Sequence, residues 1–63
     1  MERRVDLSFD LTPAEALALA QFLKRVGVDD YRRLAVDRDE AWAMLDAGER
    51  LRAALAAAGY SPR

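Results

Sequence analysis

The chain has 63 residues, enough for one domain near the lower size limit for independent folding. It contains no cysteine and no histidine, which excludes disulfides and zinc sites of the Cys/His type. Ten basic residues oppose eleven acidic ones for a net charge of −1, so no long-range field draws the chain to nucleic acid or to an anionic membrane.

A chain this short buries a thin core, and the hydrophobic gain nearly cancels the conformational entropy cost. With disulfides and zinc excluded, oligomerisation or close helix packing must make up the difference. No apolar run reaches the length of a membrane span. Arg3 and Arg4 are followed by Asp6 and an alternating pattern rather than by an apolar h-region, so no signal peptide is expected and the location implied is cytoplasmic.

Residues 1–11 are predicted as a strand or extended arm. Val5, Leu7, Phe9 and Leu11 alternate with Arg4, Asp6, Ser8 and Asp10, which is the period of a half-buried strand. No second segment of this kind exists, and a lone strand leaves half its backbone groups unpaired. Three arrangements would satisfy it: a ribbon with a second copy through Val5, Leu7 and Phe9, a strand added to a target's sheet edge, or an arm lying on the helices. The first leads to a homodimer.

Residues 12–27 carry helix punctuation. Thr12 is an N-cap, Pro13 fits the first helical position and Glu15 completes a capping box, while Gly27 is read as the stop. Ala16, Leu19, Ala20, Leu23 and Val26 form the buried stripe with Phe22 at its edge; Leu17 lies on the far side. Lys24 and Arg25 suit the negative end of the helix dipole. A connector with a short helix over 29–35 follows, capped by Asp29 or Asp30, with Tyr31 and Leu34 sharing a face.

Residues 37–59 form the longest predicted element. Asp37 and Glu40 make a second capping-box pattern, and Gly59, Tyr60 and Pro62 read as C-cap, hydrophobic contact and stop. Ala41, Met44, Gly48, Leu51, Leu55 and Ala58 fall on one stripe. Gly48 costs roughly 1 kcal/mol against Ala in a helix interior, so its place on the stripe implies close approach of another helix, most simply the first one in an antiparallel pair. Trp42 lies roughly 160° from the centre of that stripe, beside Arg38, Asp46 and Glu49. Either the connector helix folds over it, with Tyr31 or Leu34 on the indole, or it is an anchor for a partner with the charges as a polar rim.

No catalytic set can be assembled. The hydroxyl residues are Ser8, Ser61 and the cap Thr12, and the acidic groups Asp29/Asp30 and Asp37/Asp39/Glu40 are explained by capping. The glycines at 27, 48 and 59 are isolated and make no phosphate loop. No cofactor is expected, and an enzyme is not.

The strand followed by a capped helix resembles the start of a ribbon-helix-helix repressor, in which paired strands enter the major groove. Two features depart from that family. Asp6 and Asp10 on the reading face would be repelled by phosphate, and the last helix is too long and is preceded by a connector. A DNA-binding dimer or antitoxin is therefore the alternative reading. The stretches LTPAEALALAQFLKRVG, DDYRRLAVD and DEAWAMLDAGERLRAALAAAGYSPR resemble small uncharacterised proteins of proteobacterial genomes, phages and mobile elements, over residues 11–63. In size and style such proteins are like anti-CRISPR inhibitors, and the resemblance implies a protein that blocks a host effector subunit. The sequence thus points to a mainly α, helix-dominated α+β domain: an N-terminal strand or arm, two antiparallel helices and a short connecting helix. Its expected role is that of a non-catalytic protein-binding module centred on Trp42, Arg38, Asp46 and Glu49.

Overall fold

The start of each helix is written in a few side chains around its first turn. At the first, Thr12 N–H donates to Glu15 Oε1 at 2.9 Å and Glu15 N–H donates to Thr12 Oγ1 at 3.1 Å, with Pro13 at the first helical position. The resulting helix α1 spans Pro13–Arg25. The computed structural model describes residues 3–62. Helix α2 spans Val28–Leu34 and α3 spans Arg38–Ala57.

Gly27 plays a different part from the stop expected of it. Helix α1 ends at Arg25 with Val26 as its cap, and Gly27 has an extended backbone (φ −110°) as the N-cap of α2. Lacking a side chain, it offers the helix no cap; instead the Asp30 carboxylate accepts from Gly27 N–H at 2.9 Å. The connector helix therefore begins at Val28, ahead of the aspartates. At α3, Glu40 N–H donates to Asp37 Oδ1 at 2.8 Å, while the Glu40 carboxylate reaches past the cap residue to accept from Val36 N–H at 3.0 Å. At the far end Gly59 has φ +100°, a conformation that L side chains rarely adopt. Gly59 N–H donates to Ala56 O at 3.0 Å and Tyr60 N–H to Leu55 O at 2.8 Å, the paired bonds of a Schellman motif. Tyr60 then folds back onto the core.

Helices α1 and α2 both pack on α3. The α1 stripe is buried at Ala16, Ala20 and Leu23, which cluster with Leu55; Leu19, Leu51 and Tyr60 cover them. Leu23, near the end of α1, lies against Gly48 in the middle of α3, and the earlier α1 residues cluster with the later part of α3. The two helices therefore run in opposite directions. Ala41 is the other buried apolar residue, and Ala58, expected on the stripe, is exposed at the C-cap.

Gly48 is the point where all three helices meet. A Cβ built there would overlap Tyr31 Oη of α2, and would stand 3.3 Å from Tyr31 Cζ and 3.7 Å from Leu23 Cδ2 of α1. The close approach implied by a helix-interior glycine is thus made by the connector helix and not, as expected, by α1, whose Leu23 stands at an ordinary contact distance.

The α+β expectation does not hold among the described residues, which contain three helices and no strand. Residues 3–12 have no regular secondary structure, and Val5, Leu7 and Phe9 are 81, 80 and 61 % exposed. Met1 and Glu2 of the expected strand lie outside the described residues. The alternation is in the sequence, but a ladder needs a second set of N–H and C=O groups, and one chain carries one such segment.

Two stability measurements follow. Replacing Gly59 by Ala should cost about 1–2 kcal/mol, the penalty of a left-handed backbone for an L residue. In a domain this small that lowers the melting temperature by at least about 4 °C, readable by circular dichroism. Replacing Gly48 by Ala gains roughly 1 kcal/mol of helix propensity but displaces Tyr31. It should therefore destabilise the parent chain and be at least about 0.5 kcal/mol better tolerated in a Tyr31→Phe background. Additive effects in that cycle would show that Tyr31 is not what Gly48 makes room for.

Candidate functional site

Trp42 sits where α2 crosses the first half of α3. Successive turns of α3 place Arg38, Trp42 and Leu45 on neighbouring positions of one face. The connector helix lies along the edge of that face nearer Ala41 and Leu45. Between the two helices runs an open groove of about 480 Å³, lined on one side by Val28, Tyr31 and Arg32 and on the other by Ala41, Trp42 and Leu45. Ala41 is buried, whereas Trp42 is 53 % exposed. Val36, in the link between the helices, also lines the groove and is exposed.

Neither sequence-based reading of Trp42 describes this fully. The connector helix does come to Trp42, but it leaves the indole half open. Tyr31 is directed at Gly48, and Leu34 is turned away to a second notch that it lines with Phe22 of α1. The patch expected around Trp42 is divided by the same geometry. Arg38 shares the groove with Trp42. Asp46 is exposed and is not among the groove's residues, and Glu49 lines a separate depression with Arg52 and Tyr60. The expected dimer residues Val5, Leu7 and Phe9 are exposed in the segment before α1, which has no regular secondary structure.

The groove's rim carries charges of both signs. Arg32 pairs with Asp29 at 3.8 Å across exposed surface, an arrangement that contributes little and is readily exchanged. Arg38 has no ion pair among the described residues. Asp37 also lines the groove, but its Oδ1 accepts from Glu40 N–H. The groove is therefore a trough of mixed polarity with a tryptophan wall and Arg32, Arg38 and Asp37 at its edge.

The carboxylates of Asp30, Asp37 and Glu40 are engaged with helix N–H groups. Among the described residues no three His, Cys, Asp or Glu side chains gather as a metal-binding set. Val28, Tyr31, Arg32, Val36 and Leu45 were not singled out as site residues from sequence. The spacing from Trp42 to Leu45 marks one wall, but the other wall belongs to α2, and only packing brings it there.

Fold and groove together define a small three-helix protein with an open, tryptophan-walled trough. The chain belongs to DUF7706, a family of unknown function whose pattern it matches over residues 1–63. No curated protein and no solved structure matches it. No helix among the described residues is long and apolar enough to cross a membrane.

If Trp42 is a groove wall rather than a core residue, Trp42→Ala should leave the domain folded. Its helical circular dichroism should be unchanged and its melting temperature lowered by no more than about 8 °C, as for a loss near 1 kcal/mol. Loss of the helical signal would make Trp42 part of the core.

Proposed function

We propose that this protein is a non-catalytic protein-binding module, and that its contact surface is the groove between α2 and α3. Trp42 is the anchor and Arg38 and Arg32 are the rim. The observation that supports this is the placement of apolar side chains. The buried set is Ala16, Ala20, Leu23, Ala41 and Leu55, while Trp42, Val28 and Val36 stand exposed around one trough. A half-open tryptophan flanked by arginine is the kind of group that dominates interface energy. Asp46 and Glu49 contribute polar surface beyond the groove. A module of this kind acts by occupying a partner's surface. In a mobile-element setting and in the cytoplasm that would make it an inhibitor of a host effector subunit, with no chemistry of its own.

The chain has one tryptophan, so its fluorescence reports the groove alone. Extended peptides that alternate apolar and acidic residues should shift the emission of Trp42 to shorter wavelength and shield it from acrylamide. Arg38→Ala should weaken that binding by about threefold to tenfold, the worth of a rim contact. A panel of such peptides that leaves Trp42 emission unchanged would reject the groove. Retention on duplex DNA that falls with salt and is lost in Arg4→Ala would place the function on the arm instead.

A further inference from the structure

We infer that residues 3–11 pair with the same segment of a second copy as a two-stranded antiparallel ribbon, in the register that sets Leu7 opposite the partner's Leu7. The inference concerns the arm and is independent of the groove between α2 and α3.

The backbone of this segment is open to pairing. Among the described residues, no N–H or C=O of residues 3–11 takes part in a hydrogen bond, and Val5, Leu7 and Phe9 are exposed. A strand needs the N–H and C=O groups of another strand. The rest of the described chain is three helices and their short links, so the second strand must come from another molecule.

The residues select a second copy as that molecule. In an antiparallel pair, residues directly opposite share a face. With Leu7 on the two-fold axis, Val5 lies opposite the partner's Phe9, Arg4 opposite the partner's Asp10 and Asp6 opposite the partner's Ser8. Arg3 falls opposite the partner's Leu11 at the ribbon's end. Residues 5, 7 and 9 therefore meet apolar side chains, and an opposite-charge pair closes each end of the polar face. Moving the axis to Asp6 sets that carboxylate opposite the partner's Asp6; moving it to Ser8 sets Asp6 opposite the partner's Asp10. Like charges directly opposite are destabilising. An axis between two residues sets apolar side chains against polar ones. An axis at Val5 or Phe9 shortens the ladder to five residues per strand. A parallel two-fold pair sets Arg4, Asp6 and Asp10 each opposite itself. One full-length register survives, because the segment is complementary to its own reverse. A two-fold contact demands that symmetry, and an unrelated sheet edge does not.

The joined polar face would hold two copies of Arg4 against two each of Asp6 and Asp10. Phosphate is repelled by such a surface, so the ribbon assembles the protein and does not read a DNA groove.

A two-stranded ribbon is marginal by itself in water, so sedimentation velocity of the full-length chain is read over roughly 1 μM to 1 mM. The expected result is a rise from 7.1 kDa toward twice that mass. Arg4→Glu and Asp10→Arg should each weaken self-association at least about fivefold, because each sets like charges opposite one another at both ends. An equimolar mixture of the two should form a heterodimer of parent strength, since every pairing of positions 4 and 10 is then between opposite charges. Neither residue makes a hydrogen bond or ion pair among the described residues, so the helical circular dichroism should be unchanged. The chain has no cysteine, so introduced thiols report the register. Leu7→Cys should oxidise to a linked dimer at least about tenfold faster than Val5→Cys or Phe9→Cys alone. Val5→Cys should cross-link to Phe9→Cys when the two are mixed.

A chain that remains a 7.1 kDa monomer throughout overturns the inference and leaves the arm to a foreign strand. Self-association that neither charge reversal weakens, or a mixture that does not restore it, overturns the register and with it the ribbon. Equal self-cross-linking of all three cysteine variants would mean a parallel pair, which overturns it as well.

Discussion

A missing Cβ in the middle of α3 organises this molecule. At Gly48 the ring of Tyr31 from α2 and the side chain of Leu23 from α1 converge on one turn of helix. A glycine there sacrifices helix propensity, about 1 kcal/mol against alanine, in a domain whose whole stability is of the order of 0.05–0.15 kcal/mol per residue. The loss is offset because it lets the Tyr31 ring of α2 lie directly against α3. Helix α3 packs against both other helices, and what happens along its length is divided by position. Its later half is covered by α1, and its first half carries the connector helix and the groove.

The division has an energetic consequence. The later half buries Leu23 and Leu55 among alanines, with Leu51 and Tyr60 closing the cluster. Among the described residues no large side chain is fully buried. Alanine permits close helix approach but contributes little apolar area, so the hydrophobic gain is small for the number of residues ordered. Meanwhile Val5, Leu7, Phe9, Phe22, Leu34 and Trp42 remain in contact with water. Single exposed apolar side chains are ordinary. Here they fall in three groups: the arm, the notch between Phe22 and Leu34, and the trough beside Trp42.

Local chemistry explains why so little else is needed to hold the helices in place. Each N-terminus is closed by a carboxylate or hydroxyl from its own first turn or just before it, and α3 ends on a glycine at φ +100° that turns Tyr60 back onto the core. The acidic clusters at 29–30 and 37–40 are helix starts and short-range ion pairs along α2.

Much of this was legible in the sequence because it is local. The capping box at Thr12 and Glu15, the Asp37 cap, the Gly59 turn and the buried stripe at Ala16, Ala20 and Leu23 all depend on residues within a few positions of one another. Gly48 announced a close approach by its type alone. Tertiary structure decided what made that approach: Tyr31 lies seventeen positions away, and periodicity says nothing about which helix arrives. It decided the role of Gly27 as well, since the same residue can stop one helix or cap the next, and the extended backbone chose the second. It left the alternating N-terminal segment unpaired, because strand pattern is a property of one chain and a ladder is a property of two. And it split the patch around Trp42. A helical wheel puts Arg38, Asp46 and Glu49 on that side of α3, but α2 arrives along a single edge, so Trp42 and Arg38 enter the groove while Asp46 and Glu49 do not.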